Sequence, residues 1–326
     1  MKKFILLISF SFFIYNVNID SQNKDSLYKV TDGIYTISGF TGNISFLVTK
    51  NNVVLVDAGE NHDGGRRIKE IIATVTKNPI ADIVITHYHY DHTNGLNSLP
   101  QNIPIIAQKN TKQNQLNRIN DTKKEIITAM HHADSIHAIL NKLKPTDKEF
   151  AKIDSSSKAI DNNIKELKNR KFVIPSVLVD SLKTLVVDND TIELIYPGKA
   201  HTNGDLVVWF KNRNTMVLGD LLFNRAFPYI DPLGDTENWA NQLRKFVKTD
   251  VKYFIPGHMG TATVDDVLLF ANYQTDLRNA IKKYIDEGKS KKEIKDTLKL
   301  PAYDNFGFQF FREQNIEAVY DQLKKD

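Results

Sequence analysis

The chain has 326 residues, 43 of them Lys or Arg against 39 Asp or Glu, a formal net charge of +4 and no cysteine. Charges this mild and this evenly mixed exclude the basic stripe of a nucleic-acid binder, and the lack of cysteine excludes disulfides, thiolate metal ligands and a lipid-modified cysteine. The length is ample for a stable core without covalent staples.

Lys2 and Lys3 precede an apolar run from Phe4 to Tyr15, FILLISFSFFIY. The run is shorter than the ~20 residues needed to span a bilayer. A basic start, a short apolar core and a polar sequel predict a secretory signal over residues 1–21. The mature protein, 22–326, is then expected to be periplasmic or secreted, without stable insertion into a membrane.

Four β-type runs follow, LYKV, GIYTISGF, NISFLVTK and NNVVLVDAG, broken at Gly or Asn-Asn. They predict an antiparallel meander. GGRRIKEIIATVT, from Gly64, spaces Ile68, Ile71, Ile72 and Val75 as a helix does. ADIVIT and NIPIIAQ read as short buried strands. From about 110 to 171 the texture turns polar and helical, with Pro145 between two predicted helices. So long an insert is either a packed appendage or a lid. Strand texture returns with SVLVDS, KTLVVD and TIELIYPG, then LVVWFKNRNTMVLGD with a turn at Asn212 to Asn214. A helix from Glu237 to Lys248, the strand and loop KYFIPGHMG and C-terminal helices over about 264–326 complete the chain. Two clusters of strands, each followed by helices, predict an α+β protein: a four-layer αββα sandwich in one domain.

The chemistry concentrates in VITHYHYDHTNG. Of nine histidines, His87, His89 and His92 fall within six residues, with Asp91 among them, where the ADIVIT strand ends. Such a run suits neither strand nor helix, but it suits metal ligation. Three further signals stand beside Gly or Pro at strand ends: His201 in PGKAHTNGD, Asp220 in MVLGDLLF and His258 in YFIPGHMG. His87, His89 and His201 can form one site, and Asp91, His92 and His258 a second, with Asp220 able to bridge them. Two zinc ions are the expected cofactor. His131, His132 and His137 lie in a predicted helix without sharing a face, so no site is expected there. His62 reads as a solvated loop histidine near the mouth. Asp57 either orients a ligand loop or makes an Asx-type turn.

H-Y-H-Y-D-H, followed by His201, Asp220 and His258, resembles the metallo-β-lactamase superfamily, whose signature is H-x-H-x-D-H. The likeness runs from about Ile34 to Gly260 and extends to VDAG and AHTNGDLVVWF. It implies the αββα sandwich, a metal centre at one edge of the paired sheets and hydrolysis of a small-molecule amide or ester, β-lactams included, by attack of metal-activated hydroxide, with Asp91 catalytic. The chain departs from the cysteine-using lactamases, having Asp220 in place of their thiolate and Phe223 in place of a carboxylate-gripping lysine. Arg225 could replace that lysine or serve a surface ion pair. Phe227 and Tyr229 could line the pocket or pack in the core. Glyoxalase-II-like thioesterases and lactonases are the alternative, and an iron-dependent persulfide dioxygenase is a more distant one.

Overall fold

The computed structural model describes residues 25–324. The signal sequence expected over 1–21 lies outside them. Two sheets pack face to face. The first contains β1 (Ser26–Thr31), β2 (Ile34–Ser38), β3 (Ile44–Val48) and β4 (Val53–Val56), an antiparallel meander. α1 (His62–Val75) crosses over to β5 (Ile80–Ile85), which joins β4 in parallel. A single helical turn, α2 (Tyr90–Thr93), follows, and then β6 (Ile105–Gln108), parallel to β5.

The insert is a pair of helices, α3 (Lys109–Leu140) and α4 (Phe150–Asn169), ahead of the edge strand β7 (Val177–Val179). Pro145 lies between them, where its missing N–H and fixed φ would interrupt any continuous helix. The second sheet begins with β8 (Leu182–Val187), β9 (Asp190–Ile195) and β10 (Val207–Phe210). β11 (Thr215–Phe223), α5 (Thr236–Phe246) and β12 (Tyr253–His258) follow, with strand order β12-β11-β10-β9-β8. α6 (Val264–Asp286), α7 (Lys291–Thr297) and α8 (Arg312–Leu323) close the chain.

The period-two alternation of strands distributes side chains between layers. In β4, Val54 and Val56 point into the space between the sheets, whereas Val53 and Leu55 point to α1 with Ile68 and Ile72. β10 does the same in the second sheet. Val208 and Phe210 face the first sheet, and Val207 and Trp209 join the cluster under α5, α6 and α8. Three apolar layers between four structural layers give the αββα sandwich. α5 begins with Asp235 as N-cap, its carboxylate accepting from the backbone N–H groups of Glu237 and Asn238. α6 begins with a capping box of Thr263 and Asp266.

β11 breaks the alternation. All nine of its residues are buried, and its pairing with β12 shifts register on both sides of Gly219. Gly219 has φ of +55°, and a Cβ there would come within 2.8 Å of the Thr86 side chain. The bend turns Asp220 toward the sheet edge and lets the end of β5 pack close beside it. Asp220 therefore belongs to a bent strand interior, and His258 is the last residue of β12, where sequence patterning placed both just beyond strands.

Trp239 on α5 is fully buried and donates Nε1–H to Leu221 O at 2.8 Å, which fixes α5 to the bent part of β11. Trp239→Ala removes that packing and that bond together, and is expected to cost about 3–5 kcal/mol, measured by urea denaturation of the metal-free protein.

Candidate metal centre

Where β5 ends, the chain bends at Thr86 and Tyr88, and α2 turns it again after an extended His89. His87 and His89, two residues apart, both reach the same cluster, their rings 4.6 Å apart. The helical turn next presents Asp91 and His92. His201 arrives on the loop between β9 and β10, Asp220 on bent β11 and His258 at the end of β12. The ligand atoms of His87, His89, His201 and Asp220 lie within 4.8 Å of one another, as do those of Asp91, His92 and His258.

Asp220 joins the two groups. Its Oδ2 is 3.6 Å from His87 Nε2, 3.4 Å from His201 Nε2 and 3.3 Å from His258 Nε2, and its Oδ1 is 3.1 Å from His92 Nε2. Asp91 Oδ2 is 3.5 Å from Nε2 of both His92 and His258. Close approach of β12 makes this possible: a Cβ on Gly257 would fall 1.9 Å from Asp220 Oδ1.

The far sides of the rings are held in turn. His92 Nδ1 meets Asp57 Oδ2 at 2.8 Å, and the same carboxylate accepts from the backbone N–H and hydroxyl of Thr86, each at 2.8 Å. Asp57 takes a left-handed backbone, φ +68°, a conformation that costs energy outside glycine and gathers at functional sites. His89 presents Nδ1 inward, 3.0 Å from His201 Nε2, while its Nε2 meets Asp231 Oδ2 at 2.9 Å. Tyr88 donates its hydroxyl to the same Asp231 oxygen at 2.6 Å. The His201 loop is tied by Asp205, whose carboxylate accepts from the Thr202 N–H and hydroxyl. Burial pushes the Asp205 carboxyl up to about 8, against the pull of those Thr202 hydrogen bonds.

Burial and neighbouring imidazoles hold His87 well below the usual imidazole range, and burial brings His201 down to about 3. Both therefore offer a free lone pair at neutral pH. Burial opposes the charged form of Asp220, but His258, His92 and His87 outweigh it and keep the carboxylate ionised. Burial also opposes charge on His92, and there Asp220, Asp91 and Asp57 prevail and raise it.

Together these residues fit a pair of metal ions. Buried His87 Nε2, His92 Nε2 and Asp220 Oδ1 face the centre with no partner in hydrogen-bond geometry, the 3.1 Å approach of the last two included. Orphaned buried donors and acceptors cost ~1–3 kcal/mol each, and a pair of bound cations would satisfy all three. The donors are imidazole nitrogen and carboxylate oxygen, the set that zinc and first-row neighbours accept.

The residues expected to touch substrate divide. Tyr229 is half-buried, its ring 5.6 Å from that of His89. Phe227 is core instead of pocket wall: it is 3% exposed and packs on Tyr273 and Phe306, because α6 and the C-terminal segment cover it. Arg225 forms a surface ion pair, both its Nε and Nη2 engaging Asp266 Oδ1, at 2.9 and 2.8 Å. Phe223 stacks on the His258 ring, centroids 4.6 Å apart. His62 stands outside both ligand groups, its Nδ1 2.6 Å from Ser98 Oγ. His131 and His132 are exposed, and His137 pairs with Asp161.

Sequence reasoning passes over Asp231, because Asp-Pro signals only a turn. It also passes over Arg118, whose guanidinium donates to Tyr88 O at 3.0 Å between two of the ligands. No local pattern marks either residue, since each meets its partner across more than 25 positions.

Two buried clusters of imidazole and carboxylate at one edge of an αββα sandwich define a metal-binding hydrolase. The family model of the Metallo-beta-lactamase superfamily matches residues 37–114 and 122–258, and the chain belongs to that superfamily. It is 21% identical over 246 residues to "Metallo-beta-lactamase type 2" of Bacillus cereus, covering 74% of this chain and 76% of that protein. It is 20% identical over 265 residues to "Linear primary-alkylsulfatase" of a Pseudomonas species, covering 77% of this chain and 48% of that one. Among solved structures, a stereoselective inverting sec-alkylsulfatase from Pseudomonas sp. superposes with a TM-score of 0.68 at 16% identity, over 91% of this chain and 50% of the other. The chain thus spans about half the length of either alkylsulfatase.

Gly257→Ala is expected to displace the Asp220 carboxylate and lower metal content measured after dialysis, with an unchanged far-ultraviolet circular dichroism spectrum. Metal content of the unaltered protein should also fall as pH drops, because protons compete for the imidazole ligands. They compete first at His92 and His258, where the neighbouring carboxylates outweigh burial and raise the proton affinity, and only at lower pH at His87 and His201.

Proposed function

We propose that the protein is an exported dinuclear zinc hydrolase that opens an amide or ester bond of a small molecule, β-lactams among the candidates. The observation that carries this reading is the Asp220 carboxylate, placed between a three-histidine group and the Asp91–His92–His258 group. His87, His89 and His201 would hold one ion, Asp91, His92 and His258 the other, with Asp220 shared. A bound pair of this kind supplies Lewis-acid polarisation of a carbonyl and a water acidic enough to attack near neutral pH.

The chain's own groups do the rest. Asp91, 6% exposed at the edge of the centre, orients the attacking water through its carboxylate, accepts the proton and returns it to the leaving group. Asp57 and Asp231 hold the outer nitrogens of His92 and His89, which would leave the inward nitrogen of each facing a bound ion. Tyr229 lines the mouth and gives the substrate an apolar surface. Export is the expected consequence of the leader over 1–21; among the described residues no helix is long and apolar enough to cross a membrane.

A second reading, sulfate-ester hydrolysis at the same site, draws support from the two alkylsulfatases that the chain resembles. One experiment separates the readings: metal analysis of the purified protein with a panel of β-lactam, lactone, thioester and alkyl sulfate substrates. Two zinc per chain with turnover of a lactam, lactone or ester supports the first. One iron with oxygen consumption would overturn both. His87→Ala and Asp91→Ala should each lower kcat by roughly 10²–10⁴-fold while the fold is retained. Full activity in either would sink the mechanism.

A further inference from the structure

The seven ligands are not equally buried. The side chains of His89 and His258 are 16% and 8% exposed, whereas those of His87, His92 and His201 are 1%, 0% and 0% exposed. The open side of the centre is therefore at His89 and His258, one ligand of each group. Both border a line of aromatic rings. Between ring centroids, Tyr229 lies 5.6 Å from His89, and Phe311 lies 5.8 Å from Tyr229. Phe308 continues the line, 6.2 Å from Phe311 and 5.8 Å from His258. Tyr229, Phe308 and Phe311 are half-buried. Phe310 is 52% exposed and packs on Phe311 and Phe308 at 4.5 and 5.5 Å.

Three of these rings come from the segment between α7 and α8, past the last metal ligand in the chain. The fold anchors that segment closely. Gly307 donates its N–H to Arg225 O at 2.8 Å and accepts from the Phe227 N–H at 3.0 Å, which docks it on the chain leaving β11. Gln314 donates to Ile230 O at 2.8 Å, and Phe306 is buried against Phe227, Tyr273 and Tyr303. A Cβ on Gly307 would fall 3.0 Å from Met259 Cε, so the residue after His258 packs on this anchor. Phe308 then takes a left-handed backbone, φ +54°. A bulky residue is an outlier there, and such strain persists where the surroundings impose it and gathers at functional sites. It accompanies the passage from buried Phe306 to half-buried Phe308, whose ring stands at 78° to His258. Apolar surface left wet beside a buried reaction centre forgoes the stabilisation of burial, which an apolar ligand would restore.

We propose that Phe308, Phe310 and Phe311 form, with Tyr229, a recognition wall that holds an aryl group of the substrate while its scissile bond lies over the metal pair. The second half of that statement alone rests on the hydrolase reading. The substrate class is a small ester or amide bearing an uncharged aromatic ring. The rings of the wall meet at 55° between Tyr229 and Phe311 and at 87° between Phe308 and Phe311. Edge-to-face contact is what aromatic groups prefer, so a further ring extends the series. An aliphatic group would gain burial without that geometry.

Binding and turnover test the two halves separately. N-phenyl-1-naphthylamine, a neutral aryl probe that brightens in apolar surroundings, is titrated into the metal-loaded full chain. The same titration is made on the Phe308→Ala, Phe310→Ala and Phe311→Ala variants, with metal content measured in each. Each substitution should weaken probe binding about ten-fold, the order expected for one aromatic contact and its buried area. In parallel, hydrolysis is followed by acid release for methyl phenylacetate, methyl cyclohexylacetate and methyl acetate. Each variant should lose about ten-fold in kcat/KM on the aryl ester, chiefly through KM, and several-fold less on methyl acetate. Unaltered probe affinity in a double variant of Phe310→Ala and Phe311→Ala, or equal losses on the aryl ester and methyl acetate, overturns the wall. Equal turnover of the cyclohexyl and phenyl esters by the unaltered protein overturns it as an aryl site. Phe310 is the most exposed of the rings, so its variant reports even if Phe308→Ala displaces His258 and lowers metal content. If probe binding is lost as stated while no ester, lactam, lactone or alkyl sulfate is turned over, the wall stands and the hydrolase reading falls.

Discussion

The Asp220 carboxylate is buried against four imidazoles, and most of the architecture follows from the need to make that tolerable. Taking a carboxylate out of water costs several kcal/mol even after relaxation. Hydrogen bonds to charged groups return ~1.5–3 kcal/mol each, and Asp220 Oδ1 makes none among the described residues. Imidazolium neighbours offset part of the cost, but they cannot all be protonated, since His87 and His201 are held neutral by the same burial. A cation shared among the rings resolves the conflict. For comparison, a structural zinc binds zinc-finger peptides with roughly 10–16 kcal/mol.

The scaffold spends its rigidity on this point. Ligands come from the end of β5, the turn α2, the β9–β10 loop, the bend of β11 and the end of β12. These meet because the two sheets pack with their edges in line. Gly219 and Gly257 allow β5, β11 and β12 to approach more closely than any side chain would permit. Asn43 secures the opposite rim, donating its side-chain N–H groups to Pro256 O and Met259 O at 2.9 and 2.6 Å. Loops that would be mobile elsewhere are thereby pinned to strands; Asp57 and Asp231 each fix a ligand ring from behind, and Asp205 ties the His201 loop through Thr202. The outer carboxylates set tautomers as well as positions, so the chemistry depends on residues that need never touch a substrate.

The insert adds a second body of side chains near such a centre, with Arg118 bonded to Tyr88 O between two of the ligands. In a sandwich alone, the mouth would be lined by strand ends and by the aromatic segment after β11. Here that segment largely turns inward, with Phe227 in the core and Phe223 against His258. α3 and α4 pack on each other, and α3 meets the sheet edge at β6 and β7. Arg118 links the two parts physically through Tyr88. A helical pair attached at one strand edge can vary without disturbing the metal ligands, and this is a direct route from one scaffold to many substrates.

The sequence by itself determined the layers and the ligand set. Period-two and period-3.6 patterning, glycine and proline punctuation, and seven metal-seeking side chains at strand ends are local signals, legible wherever they occur. VITHYHYDHTNG is readable because its chemistry fits no ordinary element. Only the tertiary structure decided which groups stand behind the ligands and which cations remain free. Asp231 reaches His89 across 142 positions, Arg225 is taken by Asp266 across 41, and Arg118 meets Tyr88 across 30. A charged side chain on a polar surface looks the same whether a partner awaits it or not. Its role is set by what the fold brings within 3 Å, and that is a property of packing, absent from any stretch of chain taken alone.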